Sequence, residues 1–108
     1  MRILPLAVIL ALVLAAPAAA ATKTVKIGDD YFVKSGRPHT VTVSKGTTVK
    51  WSWKGSRQHN VVVQKGPRSF QSALKKRGSF ARKVTKRGIY KIICSIHAPD
   101  MRMTLKVT

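Results

Sequence analysis

The sequence contains no glutamate, and its only acidic residues are Asp29, Asp30 and Asp100. Three acids scattered along a chain supply no evident carboxylate pair, which argues against a hydrolase built on paired carboxyl groups. One cysteine, Cys94, excludes any disulfide within the chain. Helical periodicity is also missing, and only Ser69 to Lys76 has room for a short helical turn. No apolar run reaches the roughly 20 residues that a membrane-spanning helix needs.

What is present begins with a short positive start, Met1-Arg2. An apolar run follows from Ile3 to Leu14, broken only by Pro5, and a small-residue tail runs from Ala15 to Ala21. A charged end, an apolar middle and small side chains at the boundary predict a secretory signal peptide over residues 1–21. The remainder, residues 22–108, predicts a single domain, exported to a periplasmic, extracellular or cell-surface location. A domain of about 87 residues buries only a modest core and often relies on a disulfide or a metal for part of its stability. Outside the cytoplasm a lone thiol is open to oxidation and mispairing, so something must occupy or shield Cys94.

The charge balance is extreme, with 21 Lys and Arg against 3 acids and a net charge of +18. Without Arg2 the balance is 20 against 3, or +17. A field of that strength attracts anionic partners and speeds encounter with them, while leaving the choice of fold untouched.

Alternation with period two recurs along the chain. Thr40 to Val43 alternates cleanly, and Val49, Trp51 and Trp53 share a face. So do His59, Val61 and Val63, then Tyr90, Ile92 and Cys94, and finally Met101, Met103, Leu105 and Val107. Phe80 and Val84 share a less clean face with Arg82. Such runs predict half-buried strands. Gly46, Gly55, Gly66, Gly78 and Gly88 each follow a Lys or Arg, at intervals of 9 to 12 residues. Turn signals at that spacing predict an all-β sandwich or barrel, with much of the charge carried on the turns.

The residues that carry chemistry are few. Cys94-Ser-Ile-His97-Ala-Pro-Asp-Met101 follows one predicted strand and leads into the last, and His59 opens another. Taken singly, a buried cysteine is usually a small apolar side chain, a strand histidine is usually structural, and methionines near a strand are mostly core. Together, two imidazoles, a thiolate and a thioether make the ligand set of a blue copper site, with His₂Cys in a trigonal plane and a long axial Met contact. Zinc prefers a full set of strong nitrogen, sulfur or oxygen donors to a thioether. Cys94, His97 and Met101 converge on one tight loop, and His59 must arrive from another strand. Met103 is the alternative to Met101, although it lies in phase with Leu105 and Val107 as a core residue does.

The C-x-x-H-x-x-x-M loop, the preceding Gly88-Ile-Tyr90 and the earlier Gly46-Thr-Thr-Val-Lys-Trp51 resemble the cupredoxins, with plastocyanin-like and amicyanin-like members closest. The likeness covers nearly all of residues 22–108. It implies a Greek-key β-sandwich of seven or eight strands in two packed sheets. It also implies one copper ion held by His59, Cys94, His97 and Met101, with His97 at the exposed edge. Asn60 would tether the two ligand-bearing segments. The sequence departs from many relatives in having three residues between His97 and Met101, and Met103 where they carry glycine.

The function expected on these grounds is one-electron transport outside the cytoplasm, without catalysis. The alternative is storage or delivery of copper to an extracytoplasmic oxidase. The basic surface predicts an acidic redox protein as partner and allows peripheral association with an anionic membrane or cell-wall surface. No aromatic-interleaved nucleic-acid motif appears, so no specific nucleic-acid partner is expected. A monomer is expected. His39 reads as a surface or turn histidine, Trp51 and Trp53 as core, and Asp29-Asp30 as turn-forming. Lys75 to Arg77 and Lys86-Arg87 read as solvated basic clusters.

Overall fold

A computed structural model of the chain describes residues 21–108. The predicted signal peptide, residues 1–21, lies outside the described residues except for Ala21, whose carbonyl accepts the Thr48 N–H at 2.9 Å.

Eight strands follow in order: β1 (Thr22–Gly28), β2 (Tyr31–Phe32), β3 (Thr40–Val43), β4 (Thr48–Trp53), β5 (Val62–Lys65), β6 (Gly78–Lys83), β7 (Gly88–Ile93) and β8 (Arg102–Val107). They form two four-stranded sheets, ordered β2-β1-β4-β6 and β3-β8-β7-β5. Both are mixed. β1 runs parallel to β4 and β3 parallel to β8, while the other pairings are antiparallel. Two packed mixed sheets of eight strands agree with the Greek-key sandwich that the resemblance implies. The described residues contain no helix. Residues 69–76, where a helical turn had room, form no helix and carry two isolated β-bridges instead. Val62 bridges Gln71 and His59 bridges Lys75, so the segment satisfies its backbone by pairing with the chain around β5.

The alternation read from the sequence becomes the interior. Val49, Trp51 and Trp53 of β4, Tyr90 and Ile92 of β7, and Met103, Leu105 and Val107 of β8 face one another between the sheets, joined by Val25 and Ile27 of β1, a strand that the sequence reading did not pick out. Each such side chain taken from water contributes about 1.5–3 kcal/mol. The Trp51 ring packs against Phe70 and Phe80, with centroids 5.7 and 6.0 Å away. Strand β6 alternates poorly because it is an edge strand. Only Phe80 among its six residues is partly buried, and the Arg82 guanidinium lies 4.8 Å over that ring. Arginine and lysine along an edge also discourage pairing with another chain.

The glycines mark strand boundaries as the sequence predicts. Gly46, with φ of 93°, turns the chain from β3 into β4, where a side chain would be strained. Gly78 opens β6 and Gly88 opens β7. Tyr90 is fully buried, and its hydroxyl donates to the Lys86 carbonyl at 2.7 Å and pins the turn before β7.

Candidate metal centre

One end of the sandwich collects the chemistry-bearing residues. Cys94 is the first residue past β7 and keeps the inward direction of Tyr90 and Ile92, so its sulfur is wholly buried. His59 stands three residues before β5 and is equally buried. His97 lies in the β7–β8 loop with a quarter of its side chain, 27%, exposed. The structure brings these three together: one potential donor atom from each lies within 4.8 Å of the others. His59 Nδ1 is 4.0 Å from Cys94 Sγ. Bonds from a metal to imidazole nitrogen or thiolate sulfur run about 2.0–2.3 Å, so one ion between these atoms is within reach of all three. The set fits copper chemically, combining a soft thiolate with imidazoles that suit both of its oxidation states.

The loop between β7 and β8 is closed by its own backbone. His97 N–H donates to the Cys94 carbonyl at 3.2 Å, Met101 N–H to the His97 carbonyl at 3.1 Å, and Cys94 N–H to the Met101 carbonyl at 3.1 Å. These bonds place Met101 against both residues at the loop's end, with its side chain buried. Met103 lies within β8, opposite Ile92, and belongs to the core between the sheets. His39 is not part of the cluster; it lies beside β3 and lines a groove with Lys23 and Thr40.

The donor residues are held from several sides. Asn60 and Ser95 exchange two hydrogen bonds of 2.8 Å, Nδ2 to Oγ and backbone N–H to Oδ1, which ties the His59 segment to the Cys94 segment. The tether expected of Asn60 is therefore present. Trp53 Nε1–H donates to the His59 carbonyl at 3.1 Å. Lys75 N–H and the Lys75 carbonyl bond to the carbonyl and N–H of His59, and the Lys75 ammonium lies 5.5 Å over the Trp53 ring. Lys75 is thus structural and not only solvated.

Sequence reasoning missed the two aspartates. Asp29 and Asp30 do form the turn between β1 and β2, with Asp30 at φ 68°, a conformation aspartate tolerates better than most residues. They also reach the histidines. Asp29 Oδ1 is 3.2 Å from His59 Nε2, which leaves Nδ1 of that ring facing Cys94. Asp30 Oδ1 is 3.3 Å from His97 Nε2, though off the hydrogen-bond axis, so this buried nitrogen has contact with the carboxylate but no aligned partner. The edge of His97 that sequence reading left open to solvent is covered at Nε2. Asp29 further accepts from the Ser56 and Arg57 backbone N–H groups, both at 3.0 Å, and from the Ser56 hydroxyl at 3.1 Å. The Arg57 backbone N–H, with His59 and Ser56 adding to it, lowers the Asp29 carboxyl to about 2. The missed signal was scarcity: two of only three acids stand side by side in a chain of net charge +18.

Comparison with known proteins agrees with this geometry. The sequence profile of the copper-binding proteins of the plastocyanin/azurin family matches residues 19–108. Curated protein sequences give no match. Among solved structures, the Cu(I) form of an amicyanin variant is 24% identical, with a TM-score of 0.68 over 87% of this chain and 89% of that one. A purple cupredoxin from Nitrosopumilus maritimus is 20% identical, with a TM-score of 0.67 over 80% of this chain and 99% of its own. The copper-containing nitrite reductase of Thermus scotoductus is 26% identical with a TM-score of 0.66 over 81% of this chain, but the match spans only 22% of that larger chain. The chain thus belongs to the copper-binding plastocyanin/azurin family of cupredoxins, and its cofactor is one copper ion.

Proposed function

We infer that the chain is an exported type 1 copper protein that carries single electrons between redox partners and catalyses no reaction itself. Copper supplies the one-electron chemistry by alternating between Cu(I) and Cu(II). His59, Cys94 and His97 would hold it through two imidazole nitrogens and a thiolate, and Met101 would add its thioether. The observation that carries this reading is the buried cluster of two imidazoles and one thiolate within 4.8 Å, closed by the Cys94–Met101 loop.

The chain's own residues favour rapid transfer because they are fixed before any ion arrives. The Asn60–Ser95 pair, the Trp53 bond to His59 and the three backbone bonds of the loop resist rearrangement when the charge at the centre changes. His97 is the donor nearest the surface. Beside it Ile96 is exposed, as are Ala98 and Pro99, which gives a small apolar contact face at that end. Around it, a net charge of +17 after removal of residues 1–21 steers an acidic redox protein towards the domain. The same charge supports loose, salt-sensitive association with an anionic membrane or cell-wall surface. Export rests on the segment 1–21, and the domain acts as a monomer. Burial of both His59 and Cys94 favours retention of the metal over its delivery.

The test is aerobic addition of Cu(II) to the metal-free protein. An intense visible band of Cu(II)–thiolate type should develop at one equivalent and be absent in Cys94→Ser. Repeated reduction and reoxidation should then proceed without loss of metal. A colourless copper complex overturns the reading, and passage of the metal to an acceptor on reduction replaces electron transport with copper delivery.

A further inference from the structure

The three acidic residues of this chain, the adjacent Asp29 and Asp30 and the distant Asp100, line a single pocket of about 140 Å³ at the metal end of the sandwich, together with Lys34, Arg37 and Arg102. Two of them reach the histidines. Asp29 Oδ1 is 3.2 Å from His59 Nε2, and Asp30 Oδ1 is 3.3 Å from His97 Nε2. In a chain otherwise so basic, the negative charge is gathered where two candidate ligands can feel it.

The Asp29 contact is built into the fold. The loop after β4 wraps the carboxylate with the Ser56 and Arg57 backbone N–H groups and the Ser56 hydroxyl. A Cβ on Gly55 would collide with Asp29 Oδ1, so only glycine allows the loop to close this tightly. The hydrogen bond places the His59 proton on Nε2 and frees the Nδ1 lone pair towards Cys94. A carboxylate behind a ligating imidazole fixes its ring and raises its basicity. Asp30 is held by the Arg57 guanidinium at 3.2 Å and acts on His97 by charge and by covering its Nε2.

Building on the copper reading above, we propose that Asp29 and Asp30 form an electrostatic clamp on the centre. Asp29 positions His59, Asp30 restrains His97, and the two negative charges favour Cu(II) over Cu(I), lowering the reduction potential. Lys34, Arg37 and Arg102 line the same pocket and the Arg57 guanidinium pairs with Asp30, all acting in the opposite sense, but the groups that touch the two imidazoles are the carboxylates, and the remaining Lys and Arg act through solvent that screens them. The clamp offsets that background locally and leaves the outer surface basic for a partner.

The experiment is voltammetry of the copper-loaded protein and its Asp29→Asn, Asp30→Asn and double variants, each with its visible spectrum. Each single change should raise the Cu(I)/Cu(II) ratio at a fixed applied potential by about threefold or more, and the double change by about tenfold, equivalent to about 59 mV for a one-electron couple. Asp30→Glu, which keeps the charge, should remain near the wild type. Lys83→Gln, at the opposite end of β6, should leave the ratio unchanged. Nitrogen NMR of the metal-free wild type should show His59 as the Nε2–H tautomer. Unchanged potentials in variants that retain the visible band overturn the clamp while leaving the copper reading intact. An Nδ1–H tautomer overturns the role of Asp29 even if Asp29→Asn fails to fold. Absence of the band from the wild type instead overturns the copper reading itself.

Discussion

The two sheets contribute different things to the same end of the molecule. The β3-β8-β7-β5 sheet and its connections carry every candidate ligand: His59 ahead of β5, and Cys94, His97 and Met101 between β7 and β8. The β2-β1-β4-β6 sheet carries none, yet it supplies Trp53 to the His59 carbonyl and Asp29 and Asp30 to the two imidazoles. One sheet presents the donor atoms and the other fixes where they point and what field they experience. Changes in the first should alter whether and how the metal is held. Changes in the second should alter stability or tuning while leaving the donor set in place.

The largest expected effect outside the ligands lies in the supporting sheet. Trp51 is fully buried on β4 and packs against Phe70 and Phe80. Trp51→Ala should cost about 3–5 kcal/mol in urea unfolding of the metal-free protein. Because no donor is removed, the folded fraction should still develop the visible band. A variant that folds stably but has lost the band would break the division between the sheets.

A smaller effect sharpens the division within the ligand sheet itself. Met101 and Met103 are both buried, but Met101 ends the loop bonded to Cys94 and His97, and Met103 pairs with Ile92 inside β8. Leucine is close in volume to methionine, so either change to Leu should cost less than about 1.5 kcal/mol in stability. Met101→Leu should nevertheless shift the visible spectrum and the reduction potential, and Met103→Leu should move neither. The reverse result would transfer the axial role to Met103.

Most of the sandwich was legible because alternation and burial obey one rule in a strand. Val49, Trp51, Tyr90 and Leu105 are inside for the reason their spacing suggests. The His–Cys–His cluster was legible because its residues are chemically uncommon and two of them share a short loop. Residues 69–76 were less readable, since a segment that pairs only through two isolated bridges leaves no clear period. Asp29 was the hardest. A carboxylate next to a turn is an ordinary sight, and its contact with His59 spans 30 residues of sequence. That contact exists only because the first sheet packs over the second.

Asp29 also offers a measure of how firmly the supporting sheet grips the donor residues before metal arrives. Its carboxyl titrates at about 2 in the folded protein, against an ordinary value of 3.8, because the Arg57 N–H, His59 and Ser56 all bind the charged form. The unfolded chain therefore takes up the proton more readily than the folded one. The stability this group contributes is complete above pH 3.8 and disappears as the pH falls towards 2. Urea unfolding of the metal-free protein should show a falling midpoint across that window. In Asp29→Asn the fall should be shallower, because the proton-linked part of the interaction is gone. With only three side-chain carboxylates in the chain, few other groups can produce the same difference. Parallel curves for the two proteins would mean that Asp29 does not hold the loop and His59 in the folded state. The division between a presenting sheet and a fixing sheet would then rest on Trp53 and Asp30.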